Sequence, residues 1–124
     1  MNKTGKIIYW ASTGIISVMM LFSAWGYLAS ADMKAAFEHL GFPGYFRIEL
    51  GILKALGALV LVVPLVWDKI KLLAYFGFAL TFISASIAHY ASGDSVAVSV
   101  VPIIFLAILG VSYIFYVDDK VQLK

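Results

Sequence analysis

Apolar residues run along this chain in four long blocks, 7–30, 47–66, 72–90 and 95–117, separated by short polar stretches. Each block approaches the roughly 20 residues that carry a helix across a hydrocarbon core. The stretch between the first two blocks has a different pattern. Met33, Ala36, Phe37 and Leu40 recur at i, i+3, i+4 and i+7, which is one face of a short amphipathic helix. Asp32 fits its N-cap, and Gly41 followed by Pro43 and Gly44 fits its stop. The pattern therefore predicts an all-α fold, a four-transmembrane-helix bundle forming one integral membrane domain over residues 1–124. A short interfacial helix between the first and second spans would cover one end of it.

Composition strengthens this picture. Of the 124 residues, 63% are apolar and only 13% are charged, too little polar surface for a soluble domain of this size. There is no cysteine, which excludes disulfides, thiolate metal sites and dithiol redox chemistry. The formal charge of +2 comes from scattered basic residues and gives no nucleic-acid patch. Lys3 and Lys6 ahead of an apolar run, with Ala29-Ser30-Ala31 behind it, resemble a signal peptide. The run is longer than the usual 7–15 residues of such a segment, so a retained first span is expected.

Charge sets the expected orientation. Lys3, Lys6, Lys69, Lys71, Lys120 and Lys124 fall on one side of the four spans, against Lys34 and Arg47 on the other. Basic loops stay in the cytoplasm, which puts both termini inside a bacterial cytoplasmic (inner) membrane. The scarce ionisable residues then gather in the outer half. Glu49 lies near the outer surface, and Lys54 is five residues deeper, about 7–8 Å. The third span brings Ser86 and His89 to the same layer, the fourth brings Ser99, and the first brings Ser23 and Tyr27. The inner half of the last three spans reads as nearly all aliphatic and aromatic. Pro102 lies in the outer layer too, and it deprives the carbonyl of Val98 of its helical partner.

A lysine inside a span is a functional-site hypothesis, because a charge at bilayer depth costs about 2.5–3.5 kcal/mol on insertion scales. Two readings of Lys54 stand side by side. It can snorkel to the headgroups, or it can join Glu49, His89, Ser86, Ser99 and Tyr27 in a buried polar network that holds a headgroup, a quinone-like ring or a partner's helix. Glu49 and Lys54 are roughly 140° apart around the helix, so a bridging group would have to join them. His39 is expected to be an exposed polar residue, not a ligand.

Three segments carry a family resemblance: Leu40–Arg47, Leu50–Pro64 and Leu72–Asp94. Their marks are Gly41 and Pro43; then Gly51, Ile52, Lys54, Gly57 and Pro64; then Ala74, Tyr75, Gly77 and Phe78; and last His89, Ser92, Gly93 and Asp94. In order and spacing they resemble the DoxX-like family of small four-helix bacterial membrane proteins. The wider superfamily includes proteins similar to a small subunit of a thiosulfate:quinone oxidoreductase, to a partner in a membrane oxidoreductase complex, and to an animal receptor chaperone. The resemblance implies the fold but names no reaction.

Two functions remain open. One is a non-enzymatic accessory or assembly subunit that packs on a larger membrane protein or on its own copies. The other is a small subunit of a membrane redox complex that binds a quinone or lipid. A transport path ranks below both. No catalytic residue and no metal site is expected, because the chain has no phosphate loop, no ligand-spaced cluster, and only two histidines.

Overall fold

The computed structural model describes residues 2–122, with side chains as far as Lys120. Lys124, one of the lysines expected on the inner side, lies outside the described residues. The described residues form five helices and no strand: α1 (Lys3–Ala29), α2 (Ala31–His39), α3 (Gly44–Val62), α4 (Asp68–Ala91) and α5 (Val96–Gln122).

The helix boundaries follow local chemistry. Asn2 caps α1 by accepting a hydrogen bond from the Gly5 amide at 2.7 Å. The expected cap of α2 is corrected: Ser30, not Asp32, accepts from the Met33 amide, and Asp32 falls in the first turn, where the helix dipole favours an acid. Helix α3 stops at Val62 because the residue before Pro64 is driven out of the helical region; Val63 is extended, with φ −82° and ψ 116°. The polar residues 68–71 ahead of the third apolar block are the start of α4, and α5 continues past the fourth block to Gln122.

Helices α1, α4 and the Val96–Lys120 part of α5 are long and apolar enough to cross a membrane. Helix α3 has 19 residues, about 28 Å at 1.5 Å each. Its charges, Arg47, Glu49 and Lys54, reach into the body of the helix, whereas those of α1, α4 and α5 lie at one end of each.

Each long helix packs on two others: α1 on α3 and α5, and α4 on α3 and α5. Cross-helix pairs fix the directions. Thr13 meets Ser112, Lys54 meets Ser23, Phe82 meets Phe105, and Ser86 meets Ser99, so neighbouring helices run antiparallel. Tyr9 stacks on Tyr116, which brings the starts of α1 and α4 and the late turns of α5 to one end. The α2 segment and the α4–α5 turn lie at the other. The core between them holds Ile16, Met20, Ala58, Leu61, Phe78 and Leu109. Gly57 lets α3 approach α4, since a Cβ there would stand 2.9 Å from the Phe78 ring. Along α1, Ser17 and Ala24 are buried while Leu21 is exposed.

Candidate functional site

Lys54 lies on the buried side of α3, only 7% exposed. Its Nζ donates to Tyr27 Oη at 2.6 Å and to Ser23 Oγ at 3.1 Å, and stands 3.9 Å from the centre of the Tyr27 ring. The side chain turns inward to α1, not outward to the surface. The small residue that permits this is Gly51, where a Cβ would stand 3.1 Å from Tyr27 and Leu28. One turn before Gly51, Arg47 donates from Nη1 to the backbone carbonyl of Tyr27, while its Nε is buried without a hydrogen-bond partner. Two cationic side chains thus close on Tyr27, and no carboxylate among the described residues pairs with either. Lys54 also lines a groove of about 400 Å³ between α3 and α4, whose other walls include Leu50, Leu53, Gly57 and Phe78.

Glu49 is exposed, and no hydrogen bond or ion pair among the described residues joins it to Lys54 or His89. Nor does His89 reach Lys54. It belongs to a second cluster, built by two matching helix ends. In α4 the Gly93 amide bonds the Tyr90 carbonyl and the Asp94 amide bonds the His89 carbonyl, with Gly93 at φ +84°. In α2 the Gly41 amide bonds Glu38 and the Phe42 amide bonds Phe37, with Gly41 at φ +83°. Both are Schellman ends, which need a left-handed residue where glycine is strain-free. The first folds the Asp94 carboxylate back onto His89 Nδ1 at 2.7 Å; the other carboxylate oxygen is 3.0 Å from His39 Nε2. An ionised carboxylate only accepts, so each ring presents an N–H to it. These bonds, His89 first and then His39, hold the Asp94 carboxyl below the usual carboxylate range. His39, expected to be an exposed polar residue, is more than half exposed and shares the Asp94 carboxylate with His89.

Ser86 and Ser99 form a third contact. Ser86 Oγ donates to the Ser99 carbonyl at 2.5 Å, and Ser99 Oγ donates to the Ser95 carbonyl at 3.0 Å. The hydroxyl thus lands one residue beyond Val98, in the stretch of α5 whose backbone ladder Pro102 interrupts. The structure therefore divides the six expected residues: Lys54 with Tyr27, Ser86 with Ser99, His89 with Asp94, and Glu49 apart.

The inner half of the last three spans, expected to be nearly all aliphatic and aromatic, carries a buried hydroxyl at Ser112, and the first span meets it with polar residues of its own. Thr13 Oγ1 and Ser112 Oγ are 2.6 Å apart, and Tyr75 Oη lies 2.7 Å from the same Ser112 oxygen. Both Thr13 and Ser112 are fully buried, so three helices share one hydroxyl cluster. A turn away, Ser17 Oγ is buried with no partner. Tyr9, Thr13 and Ser17 recur every four residues, and this polar stripe was the signal available in the sequence. Closer to the helix ends, Lys71 is buried and donates to the carbonyl of Val63 at 3.2 Å, capping α3 from the next helix.

Long apolar helices with few, mutually bonded polar side chains define an integral membrane protein. The profile of the DoxX-like family matches residues 11–112, and the chain belongs to that family. No curated protein and no solved structure matches it.

Proposed function

We propose that the chain is a non-enzymatic accessory or assembly subunit of the bacterial cytoplasmic membrane, with a recognition pocket around Lys54 in the outer leaflet. In this reading α3 is the fourth crossing, α2 lies in the interface, and both termini face the cytoplasm. The 19 residues of α3 nearly match a hydrocarbon core of about 30 Å, and the lysines at the end shared by α1, α4 and α5 support the orientation.

The observation that carries the reading is the pair of cations on Tyr27. Buried charges are ordinarily paired, and here Lys54 has only hydroxyls and a ring, while Arg47 keeps a buried N–H without an acceptor. Such a site suits a group that brings its own acceptor: a carboxylate or carbonyl from a larger membrane partner, its apolar part resting in the α3–α4 groove. The same donors suit the carbonyl of a quinone or the headgroup of a lipid, which gives the second reading, a ligand-binding small subunit of a redox complex. The groove at Lys54 favours that alternative.

Purification in mild detergent, with intact-complex mass spectrometry of the native chain and of Lys54→Met, tests both. A defined protein subunit held by the native chain and lost from Lys54→Met supports the first reading. A quinone or lipid lost in the same way supports the second. Identical partners and small molecules in both preparations reject the pocket.

A further inference from the structure

A second groove, of about 610 Å³, runs between α4 and α5. It lies within the range of about 300–1,000 Å³ typical of small-molecule sites. Its walls are apolar, including Leu72, Phe76, Leu106 and Leu109, and Lys69 stands at one end. From Lys69 to Ala79, the far end along α4, is ten residues, about 15 Å at 1.5 Å each. That is half of a hydrocarbon core of about 30 Å, the depth of one leaflet. Gly110 leaves the groove open, for a Cβ at that position would meet nothing within 4 Å.

At the groove end, the acid next to Lys69 is engaged elsewhere. Asp68, the neighbouring acid, is occupied by Tyr116 and by Lys120 at 3.3 Å. Lys71 is turned inward to the Val63 carbonyl. Lys69 remains exposed, its ammonium 5.3 Å from the Trp67 ring, at the level where Trp favours the headgroup region.

We infer that this groove binds an anionic phospholipid of the leaflet at the termini end, one acyl chain between α4 and α5 and the headgroup phosphate on Lys69. The length matches a single leaflet, the walls match hydrocarbon, and the exposed Lys69 ammonium matches an acidic head. The site lies at the opposite end of the helices from Lys54 and does not depend on the pocket proposed there.

Native mass spectrometry of the full chain, with phosphatidylglycerol and phosphatidylcholine of identical acyl chains, tests it. The native chain is expected to retain phosphatidylglycerol in preference. Lys69→Gln, at an exposed position, should cut that preference about fivefold, the equivalent of roughly 1 kcal/mol per basic residue near an anionic surface, and Lys69→Arg should restore it. Gly110→Leu should fill the groove and lower retention of both lipids, while glycerol phosphate should displace neither. Equal retention of the two lipids by the native chain overturns the inference. So does phosphatidylglycerol binding untouched by Lys69→Gln, displacement by glycerol phosphate, or a second copy of the chain held in place of lipid.

Discussion

At the scale of single residues, buried polar atoms decide what a substitution does. Lys54 is held by two hydroxyls and no acid, so the protein bears the cost of burying its charge without an ion pair in return. Replacing a buried ionic group by an apolar one of similar shape is often neutral or stabilising. Lys54→Met is therefore expected to melt at the native temperature or above it while losing the bound partner or ligand; a lower melting temperature would mark Lys54 as a structural residue. Ser112 is the opposite case. It joins Thr13 and Tyr75, and Ser112→Val takes one partner from each, leaving them to each other and to Tyr9. A hydrogen bond contributes about 0.5–1.5 kcal/mol net, so thermal unfolding in detergent should fall by a few degrees. None of these pairings follows from local pattern. Polar residues at helical spacing are visible in the chain, but which hydroxyl meets which depends on the rotation and depth of three separate helices.

At the scale of elements, two contrasts can be measured. Gly57 and Gly77 both lie within helices, yet a Cβ meets the buried Phe78 ring at the first and nothing within 4 Å at the second. Gly77→Ala should gain up to about 1 kcal/mol from helix propensity. Gly57→Ala should lose about 1–3 kcal/mol to overpacking, less that same gain. Comparing the two melting curves isolates the α3–α4 approach. The second contrast is acid. Asp94 ties α2 to the end of α4 through His39 and His89. Its carboxyl is lowered by those bonds, so its contribution is present above the ordinary carboxylate value. It is lost as pH falls from that value through the lowered one. Hydrogen exchange should show α2 loosening across that acid window, and Asp94→Asn should loosen it already at neutral pH. Unchanged exchange in α2 would mean that packing of Phe37 alone holds the helix.

At the scale of the whole molecule, the proposed four crossings put both described ends on one side and the α2 and Asp94 turns on the other. The cysteine-free sequence makes this straightforward to check. Single cysteines at Lys6 and Lys120 should react with a membrane-impermeant reagent only from the cytoplasmic side, and those at Lys34 and Ser95 only from outside. Labelling of Lys34 and Lys120 from the same side would remove α3 as a crossing. Helix α3 is where such a test matters most, because its three charged residues weaken the apolar signal that marks the other long helices.

The order of apolar blocks, the proline and glycine stops, and the family marks at Lys54 and at His89 to Asp94 were all legible in the chain. Each is a local property of composition or backbone geometry. Gly93, for instance, declares a left-handed helix end wherever the helix happens to lie. What only the tertiary structure decided was company. Lys54 and His89 share a layer in the sequence, yet one turned inward to Tyr27 and the other was captured by Asp94. The hydroxyls of Thr13, Tyr75 and Ser112 found one another across three helices. Hydrophobicity fixes how deep a side chain sits, but helix rotation and close contacts such as those at Gly51 and Gly57 fix what it faces.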